Sequence, residues 1–213
     1  MSLKDYRLLS KSAPKQLVVL LHGVGANGQD LLDLGQLWQT ILPDCAFISP
    51  DGCEAYDMAP VGRQWVSLRE RDPAAMLRGI QRTQPIVDAY LDNLLKEFSL
   101  PASKLALVGF SQGTMLSLYL GPRRAQQIAG IMAYSGALLG SETFQHDIKS
   151  KPPVCLVHGL LDDVVPVVAS QMAQQVLLKA GFQCELHLRE RLGHSIDDGG
   201  LKLGAAFLQR ILA

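Results

Sequence analysis

One stretch of this chain leaves little choice of architecture. Lys104-Leu105-Ala106-Leu107-Val108 is an apolar run of strand length, and Thr114-Met115-Leu116-Ser117-Leu118-Tyr119-Leu120 is an apolar run that reads as a buried helix. Only Gly109-Phe110-Ser111-Gln112-Gly113 separates them. A buried strand that passes straight into a buried helix belongs in a parallel sheet covered on both faces. So tight a turn holds Ser111 in a strained conformation. Glycines flank it because a Cβ at those positions would collide. The turn lifts Ser111 to the carboxyl edge of the sheet, aims its Oγ into open space and sets the first amides of the helix beside it. Any strand–glycine–turn–helix can have this form, so the pattern alone leaves Ser111 open between nucleophile and packing residue.

The rest of the chain repeats the alternation. Residues 17–21, 46–49, 128–134, 154–157 and 184–188 read as strands, with 6–9 as an added edge strand. Met76, Ile80, Val87, Tyr90, Leu91, Leu94, Leu95 and Phe98 recur at helical spacing, with Pro85 marking a kink or restart. Residues 168–179 and 201–212 are two further helices. The expectation is an α/β fold: a mostly parallel sheet, helices on both faces, and residues 1–213 as a single domain. With 20 basic and 20 acidic residues the chain lacks the basic footprint of a nucleic-acid binder, so no nucleic-acid partner is expected. The first residues hold no apolar signal-like run, and 17–21 is too short to cross a bilayer, so no stable membrane insertion is expected either. Cys45, Cys53, Cys155 and Cys184 form no C-x-x-C pair and read as reduced thiols of a cytoplasmic protein.

Ligands of such sheets bind where loops leave the carboxyl ends of strands. The first such loop, His22-Gly23-Val24-Gly25-Ala26-Asn27-Gly28, admits two functional readings. Gly23-x-Gly25-x-x-Gly28 is literally a dinucleotide fingerprint, with Asp51 roughly where a ribose-binding acid belongs, which would make the protein a nicotinamide-dependent oxidoreductase. The rival is an oxyanion loop, favoured by the His-Gly lead-in and by the serine elbow that follows a later strand. The second loop, His158-Gly159-Leu160-Leu161-Asp162-Asp163, offers two acids, one of which could orient a histidine. The third, Leu192-Gly193-His194-Ser195, supplies that histidine, and the chain order serine, acid, histidine is that of the hydrolase fold. His187 alternates onto the polar face of its strand and takes no role. His22 and His158 shape their loops, and His146 is exposed. No spacing of His, Cys or Asp marks a metal site. The long segment 51–72 is a lid or a connector in which Met58 and Trp65 either line an acyl pocket or pack beneath the loop. Its Arg63, Arg69 and Arg71 read as solvated.

Taken together, Leu21-His22-Gly23-Val24-Gly25, Ser49-Pro50-Asp51-Gly52, Gly62-Arg63-Gln64-Trp65, Gly109-Phe110-Ser111-Gln112-Gly113, His158-Gly159-x-x-Asp162 with Val165-Pro166, and Gly193-His194 resemble the carboxylesterase/phospholipase family that includes the acyl-protein thioesterases. The resemblance spans nearly the whole chain. It implies an α/β-hydrolase core without a large cap domain, with nucleophile, acid and base at Ser111, Asp162 and His194. The oxyanion amides would be those of Val24 and Gln112. It implies a small ester, thioester or lysophospholipid substrate and no cofactor, and leaves a homodimer open. The thioesterases tend to carry Trp-Phe-Asp where this chain has Trp65-Val66-Ser67, so the acyl-selecting loops are the part least carried over. Met58, Trp65, Leu138 and Leu139 are the residues expected to line a shallow acyl groove. A hydrolase-fold protein that binds without turnover stays as a further alternative, though no triad position is missing.

Overall fold

The computed structural model describes residues 3–70 and 72–213. Arg71, expected to be solvated, and Met1 and Ser2 lie outside them. The main sheet holds, in spatial order, β1 (Asp5–Leu8), β3 (Cys45–Pro50), β2 (Gln16–Leu21), β6 (Leu105–Phe110), β7 (Gly130–Tyr134), β8 (Val154–Gly159) and β9 (Cys184–Arg189). Only β1 runs antiparallel to its neighbour. β4 (Glu54–Ala55) and β5 (Arg63–Gln64) form a small separate ribbon.

Successive side chains of a strand point to opposite faces, and both faces of this sheet are dry. Leu17, Val19 and Leu21 of β2 enter one apolar cluster, with α2 (Pro73–Glu97), α3 (Gln112–Leu120) and α5 (Val168–Lys179). Val18 and Leu20 enter the other, with α1 (Gly28–Gln39) and α6 (Asp198–Leu212). Two dry faces explain why β2, β6 and β8 are continuous apolar runs rather than alternating ones. The remaining helix, α4 (Phe144–Asp147), is short and anchors Phe144 in the first cluster.

Besides adding α4 and the β4–β5 ribbon, the structure differs from the sequence reading at α1 and α2. α1 was not foreseen; its signal is the capping box at Asn27, whose side chain accepts from the Gln29 amide while Asp30 accepts from the Asn27 amide. α2 is not interrupted at Pro85 but runs unbroken from Pro73 to Glu97. Pro85 and Gln81, whose carbonyl loses its hydrogen bond to the ring, both face solvent, where water replaces the missing donor.

From β2 the chain crosses outward to β3, and from β6 it crosses the opposite way to β7. β2 and β6 are neighbours, so the loops leaving them diverge and open a crevice at their carboxyl ends.

Candidate active site

Ser111 joins β6 to α3 at φ 54° and ψ −114°, a conformation costly for any residue with a Cβ. Its amide donates to the Tyr134 carbonyl of β7 (3.0 Å) and its carbonyl accepts from the Met115 amide of α3 (3.1 Å), so the neighbouring strand and the following helix hold the strain in place. The flanking glycines are dictated by close approach. A Cβ on Gly109 would lie 2.5 Å from the Thr114 nitrogen, and one on Gly113 would lie 1.8 Å from the Leu21 carbonyl oxygen. Neither neighbour is a side chain that could move aside.

The loop after β8 delivers Asp162, whose side chain is fully buried. Its Oδ1 accepts from the amides of Val164 (3.0 Å) and Val165 (2.8 Å). Its Oδ2 lies 2.8 Å from Nδ1 of His194. Burial alone would raise this carboxyl. The His194 hydrogen bond and the two amides outweigh burial and hold it below the ordinary 3.8. With its Nδ1 hydrogen given to Asp162, His194 keeps a lone pair on Nε2, the form a general base requires. The Phe110 ring, next to Ser111, lies 4.8 Å from the His194 imidazole, which brings the histidine to the elbow. Ser111 and His194 are not hydrogen-bonded to each other here, a contact that often tightens only with substrate. Asp163 points to solvent.

A residue assigned only to loop shaping supports this pair. His158 is fully buried, with Nε2 at 2.8 Å from the Val165 carbonyl and 3.1 Å from Asp162 Oδ2. Its Nδ1 meets Ser170 Oγ on α5 at 2.7 Å. Two imidazoles thus flank one carboxylate oxygen. The signal was the His158-Gly159-x-x-Asp162 spacing, which folds the turn back on itself.

The loop after β2 lies over the elbow, since a Cβ on Gly23 would be 3.4 Å from the Ser111 Cβ. Gly25 donates to the Arg63 carbonyl (2.8 Å) and Arg63 donates to the Ala26 carbonyl (2.7 Å), pinning this loop to β5. Among the described residues, the amides of Val24 and Gln112 have no acceptor within the protein. The dinucleotide pattern serves the loop itself. Gly28 donates to Asp51 Oδ1 at 2.9 Å, and a Cβ there would lie 2.2 Å from the Ser49 carbonyl oxygen. Asp51, the acid matched to a ribose, is therefore engaged by a main-chain amide. His22 is fully buried; burial lowers its pKa below the ordinary 6.5, and Nε2 accepts from the Gly52 amide at 2.8 Å.

Trp65 does not line a groove; this corrects the expectation from the sequence. Its side chain is 0% exposed, and Nε1 donates to the His22 carbonyl at 2.9 Å. The cause is Gln112. The Gln112 Oε1 accepts from the amides of Trp65 (2.7 Å) and Val66 (3.2 Å), and its Nε2 donates to the Val66 carbonyl (2.8 Å). Thr83 on α2 donates to the Trp65 carbonyl at 2.6 Å. Gln64, Trp65 and Val66 of the 51–72 segment are thus built into the core beside the elbow, while the tip, with Met58 and Val61, is exposed. Leu138 and Leu139 are half-buried. Leu138 lines an open cavity of about 160 Å³ with Ala137, Ser141, Ala169, Met172 and Val176. Ala137, in one wall of the cavity, follows Gly136, where a Cβ would lie 2.9 Å from the Ser111 carbonyl oxygen.

A family model described as Phospholipase/Carboxylesterase matches residues 8–212. The chain belongs to the phospholipase/carboxylesterase family. It has the α/β-hydrolase fold and is an ester-cleaving serine hydrolase. Esterase YpfH of Escherichia coli (strain K12) is 26% identical over 195 residues, covering 92% of this chain and 82% of that protein. Acyl-protein thioesterase 1 homolog 2 of Dictyostelium discoideum is 27% identical over 215 residues, 91% of each. The crystal structure of esterase PE8 superposes on the whole chain with a TM-score of 0.96 at 41% identity, covering 100% of both. Among the described residues, no helix is long and apolar enough to cross a membrane.

Proposed function

We propose that this family member hydrolyses short-chain carboxylic esters and thioesters through an acyl-enzyme on Ser111, as a single domain. The observation that carries the assignment of roles is the His194–Asp162 hydrogen bond of 2.8 Å beside a serine held at φ 54°. His194 Nε2 takes the proton from Ser111 Oγ as the oxygen attacks the acyl carbon. Asp162 fixes the tautomer and stabilises the imidazolium. The unengaged amides of Val24 and Gln112 receive the oxyanion, each donor contributing about 3 kcal/mol in comparable sites. His194 then protonates the departing alcohol or thiol, and water enters by the reverse sequence to free the acid.

The thioester half of the proposal draws support from relatives named acyl-protein thioesterase. The short-chain half rests on the cavity beside Leu138. With a methylene taken as about the size of a water, ~30 Å³, its 160 Å³ accepts about five carbons. Each methylene buried adds about 0.8 kcal/mol. The walls are the segment after β7 and α5. Four free cysteines fit a reducing compartment such as the cytoplasm. The test is a fluorophosphonate label with mass mapping. Modification should fall on Ser111 and disappear in Ser111→Ala together with turnover. A label on any other serine would remove the assignment.

A further inference from the structure

β8 and β9 pair in parallel, with Cys155 opposite Glu185 and Val157 opposite His187. Residues two apart on a strand share a face, so Cys155, Glu185 and His187 meet on the α6 side of the sheet. β9 is the edge strand, which leaves Glu185 and His187 half-exposed above a buried Cys155. One ligand atom of each, a thiol sulfur, a carboxylate oxygen and an imidazole nitrogen, all lie within 4.8 Å of one another. Glu185 Oε2 and His187 Nε2 are 3.4 Å apart. Two ligands at ~2.1 Å across a tetrahedral zinc stand about that far from each other. Arg210 of α6 donates to Glu185 Oε1, which leaves Oε2 toward the cluster and fixes the carboxylate as outer-shell donors do. Glu185 and Arg210 line one open cleft of 550 Å³, and His187 and Gly199 line another of 560 Å³.

We propose that Cys155, Glu185 and His187 bind a thiophilic divalent cation of the zinc class, with the fourth position left to water. On binding, the Cys155 thiol releases one proton to solvent, His187 donates its neutral Nε2 lone pair and Glu185 binds as the carboxylate; nothing is oxidised or reduced. Cys155 and Glu185 lie one residue from the amino-terminal ends of β8 and β9, and His187 lies in the middle of β9. The loops bearing Asp162 and His194 leave the other ends of the same strands. The cation therefore ties the edge strand to its neighbour and takes no part in turnover. The sequence hides this site because Cys155 lies far along the chain from Glu185-x-His187, and only strand register joins them.

The test uses the full chain, stripped with a chelator and titrated first with Co²⁺ and then with Zn²⁺. One equivalent of Co²⁺ should produce a thiolate-to-metal charge-transfer band in the near ultraviolet, and Zn²⁺ should bleach it. At about 100 times its dissociation constant, Zn²⁺ should raise Tm by roughly 5–10 °C. His187→Gln, at a half-exposed position, should keep its circular dichroism and weaken Co²⁺ binding at least about tenfold. Glu185→Gln should weaken it likewise, and Cys155→Ala should abolish the band. No band in the wild type overturns the proposal. So does a band that survives Cys155→Ala, which would move the metal to Cys53 or Cys184. Unchanged affinity in both His187→Gln and Glu185→Gln, which remain informative if Cys155→Ala fails to fold, overturns it as well.

Discussion

Replacing Asp162 by Asn isolates what the buried carboxylate does. It faces four N–H groups: the Val164 and Val165 amides on Oδ1, and the imidazoles of His194 and His158 on Oδ2. An asparagine must turn its NH₂ toward one of these pairs. The main-chain amides cannot change their hydrogens, so the NH₂ goes to the imidazole side. His194 must then accept on Nδ1 and carry its hydrogen on Nε2, the tautomer that cannot take a proton from Ser111. Loss of the correct tautomer in a comparable triad lowers kcat by about 10⁴, which at 1.36 kcal/mol per tenfold is about 5.5 kcal/mol of transition-state stabilisation. The assay is kcat/KM on a butyrate ester, with a thermal melt to establish folding. Asp163→Asn, at an exposed neighbour, should change the rate by less than about threefold. An Asp162→Asn protein within tenfold of wild type, or a larger loss from Asp163→Asn, would refute the argument.

Four further outcomes are expected. Trp65→Ala should cost about 3–5 kcal/mol of stability, measured by denaturant unfolding, through its cavity and the lost bond to His22, while acyl-length preference stays put; a shifted preference would return Trp65 to the substrate groove. Activity across an ester series should rise from acetyl to about C6 and then level, and Met172→Trp, filling the cavity beside Leu138, should move the optimum toward acetyl. A steady rise to palmitoyl esters would contradict the cavity reading. Burial lowers the His22 pKa, so its contribution to stability is complete above the ordinary 6.5 and is lost as pH falls toward the lower folded-state value; His22→Gln should lose less stability between pH 7 and 5.5 than wild type. His158→Gln should lower kcat more than it raises KM, because it acts on the Asp162 carboxylate and not on substrate, and an effect confined to KM would refute that.

The sheet and the candidate site were legible in the sequence to different depths, for reasons that can be named. β2, β6 and β8 stood out because strands with two dry faces are almost continuously apolar, a polar side chain such as His158 at the end of β8 needing buried hydrogen-bond partners. Ser111 and His194 stood out because chemistry and backbone geometry both restrict them. α1 was missed because its stripe is thin, Leu31, Leu32 and Leu34 being only partly buried, and its clearest mark is a cap. Trp65 was misjudged because tryptophan on a long loop has the same composition whether it lines a groove or plugs one. What decides is the Gln112 side chain, and a partner 47 residues away leaves no periodic trace.

The Gln112 side chain carries a consequence for anyone who redesigns this enzyme. In the pattern G-x-S-x-G the fourth position looks free, and the 51–72 segment looks like a module that could be exchanged to change acyl preference. Here the two are halves of one joint. A graft of the segment without Gln112, or a substitution of Gln112 without the segment, strands two buried amides and a carbonyl, at roughly 1–3 kcal/mol each. Libraries built on this scaffold should vary residues 65, 66 and 112 as a single block and leave diversity to the exposed tip around Met58 and to Met172.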